Sequence, residues 1–195
     1  MRIEYLSENI EFRETIALWF MQEWGERYPE RTLEIWSETQ TYPNKSKLPL
    51  TLIAIENNEV VGTVCLRTDG MTTHQEWKAW LSYLVVPKEH RGRGIAKALI
   101  KKSEEIAQEL GINELHLFTR LEDPKLYANL EWKMVGREDY RGGMVSVMQK
   151  MIESKLISQS REYSLFSMFK KHPYTIAGAS AIGVAVCAYL CGRKF

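Results

Sequence analysis

The sequence predicts an α+β fold, in which a mixed, mostly antiparallel central sheet is flanked by helices and followed by a C-terminal single transmembrane helix. Three observations support this prediction. Short apolar strands alternate with helical patterns through residues 1–152, a glycine-rich turn joins one strand directly to a helix, and a run without charged residues lies near the end of the 195-residue chain. A chain of this length accommodates one folded domain and an appendage.

The chain begins with a predicted strand and a predicted helix. Residues 2–5 suit a short first strand. Residues 11–24 carry apolar side chains at helical spacing, and we expect the helix to end at Gly25. These apolar side chains are Phe12, Ile16, Trp19 and Phe20.

A second helix is predicted over residues 29–41. Pro29 suits the first helical position, because its missing N–H would have no partner there. Leu33 and Trp36 would then point to the same side of this helix. A loop is expected to follow over residues 42–49.

The next two strands form a predicted hairpin. Residues 50–55 and 60–67 are apolar and β-branched, and Asn57 and Asn58 between them suit a tight turn. A polar loop is expected over residues 68–76.

A buried strand followed by an amphipathic helix is predicted in the middle of the chain. Residues 79–86 are apolar, aromatic and β-branched, and Pro87 ends the strand. Residues 95–110 suit a helix, which Gly111 closes from the position after the cap. Its apolar face would carry Ile95, Ala98, Leu99, Ile106 and Leu110.

A strand, a short helix and a pair of strands are predicted in the last part of the domain. Residues 115–119 suit a strand, and Pro124 would start a short helix that carries Tyr127. Residues 132–137 and 144–151 form the final pair of strands, joined through two glycines.

The glycine-rich turn after the buried strand predicts an anion site. Backbone N–H groups at a helix N-terminus have no intrahelical partner, and the helix dipole adds partial positive charge. Such a site binds phosphate, and glycine lets the backbone approach the anion closely. The turn consists of Arg91, Gly92, Arg93, Gly94, Ile95 and Ala96.

Two sequence patterns carry a family resemblance. The spacing Arg/Gln-x-x-Gly-x-Gly/Ala, met by Arg91, Gly94 and Ala96, resembles the acetyl-CoA pyrophosphate loop of the GCN5-related N-acetyltransferases. Residues 126–132 read Leu-Tyr-Ala-Asn-Leu-Glu-Trp, which is similar to the later Leu-Tyr-x-x-Leu-Gly-Phe signature of that family, with Glu131 where the family usually has glycine. A Rossmann or Walker phosphate loop does not fit, because neither Gly-x-Gly-x-x-Gly nor Gly-Lys-Ser/Thr is present.

The resemblance implies the cofactor, the reaction and the site residues. It implies acetyl-CoA as co-substrate, with the pyrophosphate on the backbone of residues 92–96. The main chain of Leu84, Val85 and Val86 would pair with the pantetheine arm, and one N–H there would polarise the thioester carbonyl. Tyr127 matches the family tyrosine that protonates the departing CoA thiolate.

The sequence does not identify the general base that would deprotonate the amine. The family often places Glu early in the strand before the phosphate loop, where this chain has Trp80, and an indole accepts no proton. A chain of water molecules could also deprotonate the amine. The side chains considered for this role are His74, Glu76, Tyr83 and His116.

Composition narrows the partners. Residues 153–195 hold six Lys or Arg and two Glu, a net +4, while the remainder carries a net −3. A mildly acidic domain argues against nucleic acid. The three cysteines, Cys65, Cys187 and Cys191, show neither metal-ligand spacing nor a disulfide framework, so we expect no metal and a reducing compartment.

The C-terminal segment predicts a membrane anchor. Residues 174–191 contain no charged residue and, at about 1.5 Å per residue, suffice for a thin bilayer. The predicted organisation is an acetyltransferase domain over residues 1–152, an amphipathic linker over 153–172, a transmembrane tail anchor over 173–191 and a short basic tail over 192–195. Small residues at Ala179 and Gly183 would allow a homodimer.

The resemblance implies an acetyl-CoA-dependent N-acetyltransferase that acts on a primary amine, by direct attack in a ternary complex. The acceptor is a protein N-terminus, a lysine or a small amine. The alternative is a membrane-tethered acetyl-CoA-binding or scaffold protein without catalysis. The domain would face the cytosol, at the mitochondrial outer membrane of a eukaryote or the inner membrane of a bacterium.

Overall fold

The computed structural model describes residues 1–38, 44–121 and 124–153, in which seven strands and four α-helices are found. The strands are β1 Arg2–Tyr5, β2 Leu50–Glu56, β3 Glu59–Arg67, β4 Trp80–Val85, β5 Glu114–Thr119, β6 Lys133–Asp139 and β7 Met144–Met151. The helices are α1 Arg13–Trp24, α2 Leu33–Glu38, α3 Ile95–Glu109 and α4 Lys125–Ala128. All seven strands lie within two residues of their predicted bounds.

The strands form one sheet in the order β1-β2-β3-β4-β5-β7-β6. Every neighbouring pair is antiparallel except β4 and β5, which are parallel. The predicted mixed, mostly antiparallel sheet is therefore confirmed. The parallel pair meets only near the start of β4, where Trp80 is opposite His116 and the His116 N–H donates to the Ala79 carbonyl over 3.0 Å. Beyond this point the two strands separate, which leaves a split in the sheet.

Helices cover both faces of the sheet. On one face α3 packs through Ile95, Leu99 and Ile106 against a core that also includes Tyr127 of α4. On the other face α1 packs through residues such as Phe20, together with α2. The split between β4 and β5 is therefore open on both faces of the sheet. The face covered by α3 and α4 is called the α3–α4 side, and the face covered by α1 and α2 is called the α1–α2 side.

The predicted turn between β2 and β3 and the predicted end of α3 adopt the expected conformations. Asn57 and Asn58 have φ angles of 50° and 64°, the left-handed pair that a two-residue hairpin turn requires. Gly111 has φ 70°, its N–H donates to the Gln108 carbonyl, and the Ile112 N–H donates to the Ala107 carbonyl. This is a Schellman ending of α3.

The second helix differs from its prediction. It begins at Leu33 rather than Pro29, because Thr32 caps it: the Thr32 hydroxyl accepts from the Ile35 N–H at 3.3 Å, and the Thr32 carbonyl accepts from Trp36. Trp36 is fully buried, whereas Leu33, one helical turn earlier, is 38% exposed, so only Trp36 belongs to the core. The end predicted at residue 41 lies outside the described residues.

The predictions for the C-terminal segment also lie outside the described residues, apart from Glu153. They are the amphipathic linker, the transmembrane anchor and the basic tail. Within the described ranges, no helix combines the length and the apolar character needed to cross a membrane.

Candidate active site

The glycine-rich turn leaves the N-terminus of α3 uncapped. Gly94, the residue before the helix, has φ 80°, and among the described residues no side chain caps the N–H groups of the first turn. The first helical bond runs from the Ala98 N–H to the Gly94 carbonyl over 3.0 Å. A Cβ at Gly92 or Gly94 would project into open space. The turn therefore has the free N–H groups and the room that a bound phosphate needs.

The two arginines of this turn bind parts of the protein itself. The Arg91 Nε donates to the Val86 carbonyl over 2.9 Å, which ties the turn to the end of β4. Arg93 forms an ion pair with Glu56. Their positive charge stays near the turn, but these contacts hold the turn in place rather than leaving both side chains free.

The strand before the turn carries a bulge. Thr63 of β3 pairs with Val85 and Cys65 pairs with Ser82, so that two residues of β4 face one of β3. Tyr83, inside this bulge, has φ 51°, an unusual angle for a non-glycine residue. The bulge lies where β4 leaves β5, so the β5-facing edge of Leu84 and Val85 has no strand partner among the described residues. An extended ligand can pair with this edge.

The side chain of Tyr127 reaches the same split from α4. It is 8% exposed and packs edge-to-face against Trp132, with ring centroids 6.2 Å apart. Burial raises the pKa of Tyr127 to about 12. The phenol is therefore protonated at neutral pH and available as a proton donor.

The turn after α4 contains the departure from the family pattern. Glu131 has φ 66°, the left-handed conformation that glycine adopts without strain. The Trp132 N–H still donates to the Tyr127 carbonyl over 3.1 Å. Replacing glycine by Glu at this position therefore keeps the turn, at the cost of backbone strain.

A cleft of about 690 Å³ runs through the split in the sheet. It is lined on one side by Tyr127 and Leu84, and on the other by Tyr28, Arg31 and Tyr83. The structure therefore brings Tyr127 and β4 together at one cavity. Residues 91–96 lie outside the cleft lining, at the start of α3.

The four side chains considered as general base separate into two groups. His74 and Tyr83 line the cleft, whereas Glu76 and His116 line a second cavity of about 600 Å³. Trp80 is fully buried, and its indole N–H donates to the Trp77 carbonyl over 3.0 Å. The family position for Glu is thus a core position in this chain.

Three of these four side chains, His74, Tyr83 and Glu76, are already engaged by neighbouring groups. Nδ1 of His74 lies 3.4 Å from a Glu76 oxygen and Nε2 lies 3.2 Å from a Glu138 oxygen, so both ring nitrogens face carboxylates. The Tyr83 hydroxyl accepts from Arg31 over 2.9 Å. A hydrogen bond from its own backbone N–H lowers the pKa of Glu76, which weakens it as a base.

His116 is held in an aromatic stack. Its ring lies 4.0 Å from the Trp77 ring and nearly parallel to it, and His74 stacks on the other face of Trp77 at 4.0 Å. Burial lowers the pKa of His116, against the opposing effect of Glu114, whose carboxylate lies 3.0 Å from Nε2. The neutral imidazole is therefore packed beneath Trp77 and away from the cleft.

Several residues at the site could not be assigned from their sequence pattern. Glu138 of β6 contacts His74, and the guanidinium of Arg31 lies 4.5 Å from the centre of the Tyr28 ring. Arg141 lies 5.0 Å from the same ring. The three-residue spacing of Tyr28 and Arg31 is compatible with a contact between the ring and the guanidinium, but it does not indicate that the two residues line a cleft.

No group of three or more His, Cys, Asp or Glu side chains that could hold a metal occurs within residues 1–38, 44–121 and 124–153. Cys65 is buried, and burial raises its pKa to about 11. The Cys65 thiol is therefore protonated at neutral pH and is a poor nucleophile.

Comparisons with known proteins show the family of this chain. The model of the acetyltransferase (GNAT) family matches residues 13–130. Human N-acetyltransferase 8 is 31% identical over 128 residues, covering 62% of this chain and 56% of that protein. Human N-acetyltransferase 8B is 36% identical over 88 residues, covering 44% of this chain and 39% of that protein. The aligned part thus spans between about two fifths and just over half of the length of these relatives.

Solved structures show the same fold. An aminoglycoside 6'-acetyltransferase type Ii superposes with a TM-score of 0.63 at 22% identity, over 80% of this chain and 99% of that one. An aminoglycoside 6'-N-acetyltransferase complexed with coenzyme A also gives 0.63, at 18% identity and the same coverage. The fold is that of these acetyltransferases. The chain belongs to the acetyltransferase (GNAT) family, which confirms the family predicted from the sequence.

Proposed function

We propose that this protein is an acetyl-CoA-dependent N-acetyltransferase that acts on a primary amine. The observation that carries the proposal is the unpaired end of β4, which lies directly before an uncapped α3 N-terminus and shares a cleft with Tyr127. A site for an extended thioester and a site for a phosphate are thus adjacent along the chain, and a proton donor lies beside them.

Main-chain groups would hold the co-substrate. The free N–H groups of residues 92–96 suit the pyrophosphate, and the left-handed angles of Gly92 and Gly94 keep side chains away from it. The open edge of Leu84, Val85 and Val86 suits the amide groups of the pantetheine arm. No metal is needed for either contact.

Tyr127 would supply the proton that the reaction requires. Bound acetyl-CoA supplies an acetyl thioester, whose carbonyl carbon forms a bond to the amine nitrogen while the carbon–sulfur bond breaks. The amine loses one proton in this exchange and the departing thiolate gains one. Because burial keeps the Tyr127 phenol protonated, it can donate to that sulfur and then regain a proton from water.

Direct transfer to the amine fits the side chains at the site better than a covalent relay. A relay needs a nucleophile beside the thioester, and the cysteine that the structure describes, Cys65, is buried with its pKa raised to about 11. Acetyl-CoA and the amine would therefore be bound together in a ternary complex. The amine can lose its proton to water, because an ammonium group with a pKa near 10 leaves a small neutral fraction at pH 7–8.

Release of free thiol from acetyl-CoA in the presence of a panel of primary amines tests this function. We expect amine-dependent thiol release from the purified chain, together with acetylated amine identified by mass spectrometry. Acetyl-CoA binding, measured by calorimetry, serves as the companion measurement. Binding without turnover for every amine would contradict the proposal.

That contrary result would favour the second candidate, an acetyl-CoA-binding or scaffold protein without catalysis. The observation on its side is Trp80, which occupies a core position where the family often has a glutamate base. Loss of both binding and turnover would contradict both candidates.

We further propose that residues 173–191 anchor the protein in a membrane with the domain of residues 1–152 facing the cytosol. The support is the uncharged run over residues 174–191 and the basic residues on both sides of it. Deleting residues 173–195 should move the protein from the membrane fraction to the soluble fraction. Full-length protein that is already soluble and monomeric would contradict the anchor.

A further inference from the structure

The cleft contains an excess of positive charge that the proposed reaction does not use. Among the described residues that line it, there are two acidic side chains, Glu23 and Asp69, and six Lys or Arg side chains. Asp69 is already paired with Arg67 at 2.8 Å. The cations are Arg27, Arg31, Arg67, Lys78, Arg120 and Arg141.

Two of these cations, Arg31 and Arg141, flank one aromatic ring and are referred to as the arginine pair. Their guanidinium carbons lie 4.5 Å and 5.0 Å from the centre of the Tyr28 ring. Arg31 also lies 4.8 Å from the Trp36 ring and donates to the Tyr83 hydroxyl. In the part of the chain that the structure describes, neither guanidinium has a carboxylate within 4.0 Å.

These contacts orient the arginine pair, and neither guanidinium forms a direct ion pair among the described residues. A hydrogen bond to Tyr140 and the negative charge of Glu30 raise the pKa of Arg141. Stacking on aromatic rings fixes the plane of a guanidinium group and leaves N–H donors at its edge. A preoriented guanidinium fork binds a carboxylate or phosphate through two hydrogen bonds. The Arg31 contacts use one N–H for Tyr83, and the remaining donors stay available.

The positive charge of the arginine pair is separate from the phosphate site of acetyl-CoA. The glycine-rich turn lies at the start of α3, which packs on one face of the sheet. Tyr28 packs with α1 and α2 on the opposite face. The pair therefore lies on the side of the split from which the acceptor amine would enter.

We propose that the acceptor is a small amine that also carries an anionic group, a carboxylate or a phosphate, which binds the arginine pair. This inference rests on the proposed acetyltransferase function and names its substrate class. The same positive charges disfavour an ammonium ion nearby, so they increase the neutral fraction of the bound amine. They also disfavour acceptors with several positive charges, such as aminoglycosides.

Matched acceptor pairs test the inference on the unmodified protein. Free amino acids are compared with their carboxamides, an aminoalkyl phosphate with the corresponding amino alcohol, and an aminoglycoside is added as a polycation. We expect kcat/KM to be about tenfold or more higher for the anionic member of a pair, the effect of one charge-assisted bidentate contact. The larger of the two ratios identifies carboxylate or phosphate.

Equal or lower kcat/KM for the anionic members, or preferential acetylation of the aminoglycoside, would overturn the inference and leave the proposed function intact. Absence of turnover with every amine would contradict the proposed function itself. The two failures are thus distinguishable, and neither result depends on a variant that must fold.

Two variants test whether the arginine pair causes the preference for anionic acceptors. Arg141→Gln should reduce the anionic-to-neutral ratio to about twofold or less, mainly through KM, because one partner of the bidentate contact is lost. The matched control is Arg137→Gln, at an exposed arginine of β6 outside the cleft, and it should keep the full ratio. An unchanged ratio in folded Arg141→Gln would exclude the arginine pair as the anion site.

Discussion

The two sides of the cleft are built differently. On the α3–α4 side, the proposed acetyl-CoA site consists of main-chain groups from a short continuous stretch, the end of β4 and the turn at Gly92 and Gly94. On the α1–α2 side, charged and aromatic side chains converge from separate segments, as Arg31 and Arg141 do around Tyr28. The first site depends on backbone conformation, whereas the second depends on tertiary packing.

This difference separates what is common to the family from what distinguishes this chain. A backbone site recognises any ligand with the right amides and phosphates, and it tolerates changes in most side chains. A side-chain site depends on a few charges, and one substitution can change its specificity. Variants on the α3–α4 side should therefore abolish or weaken the reaction as a whole, and variants on the α1–α2 side should change which amine is used.

The largest effect is expected at Tyr127. Tyr127→Phe removes the proposed proton donor and keeps the ring that packs against Trp132. We expect kcat to fall about 100-fold or more, as for other positioned acids, with little change in the KM for acetyl-CoA. Steady-state kinetics measure both parameters. Tyr5→Phe, which removes a tyrosine hydroxyl outside the cleft lining, is the control, and an equal loss of kcat in both variants would argue against a specific role of Tyr127.

The next effect tests the backbone site. Gly94→Glu places a negative side chain where the phosphate is proposed to bind and forces a left-handed angle on a non-glycine residue. We expect acetyl-CoA affinity to fall about tenfold or more, since a like charge is added and the turn is strained. Calorimetric titration with acetyl-CoA measures this loss.

The control for this substitution lies at the other end of α3. Gly111 also has a left-handed angle, φ 70°, with open space around it, so Gly111→Glu causes a similar strain away from the turn. Both variants should be destabilised, but only Gly94→Glu should lose affinity. Unchanged affinity in Gly94→Glu would show that the phosphate site is elsewhere.

A smaller effect concerns pH. An ordinary tyrosine, with a pKa of about 10, is half ionised at pH 10. Burial raises the pKa of Tyr127 to about 12, so its donor form should persist and kcat should show no falling limb below about pH 10.5. The folded-state pKa lies above the unfolded one, so this group's contribution to stability is complete below about pH 10 and is lost towards pH 12. Circular dichroism at each pH confirms that the enzyme is folded, and a falling limb centred near pH 10 would contradict the assignment.

The strand β4, the glycine turn and the helix α3 are predicted correctly from the sequence because their determinants are local. Glycines between a β-branched run and an amphipathic helix define a strand, a turn and an uncapped helix without reference to the rest of the chain. The start of α2 differs from the prediction because Thr32, a suitable cap, begins the helix three residues after Pro29. A cap satisfies an N–H group directly, whereas Pro29 only permits a helix.

The α1–α2 side could not be predicted in the same way. Arg31 lies between two helices and Arg141 lies between β6 and β7, and only the folding of the sheet brings them to one ring. Four residues were considered as the base, but their packing separates them: His116 is buried beneath Trp77, whereas His74 reaches the cleft. These distances depend on long-range packing, which no local pattern contains.

The smallest effect is expected at Glu131, the departure from the family pattern on the α3–α4 side. Glu131→Gly relieves a left-handed φ of 66° and removes a weak contact, in which the carboxylate lies 4.0 Å from the Lys150 ammonium. Relief of the strain is worth about 1 kcal/mol, more than an exposed ion pair contributes, so the free energy of unfolding should rise slightly while kcat stays unchanged. Urea denaturation measures this change. Glu131→Ala removes the same contact but keeps the strain, and it should not be stabilised. Equal stability of the two variants would mean that the carboxylate, rather than the backbone angle, determines the energy of this turn.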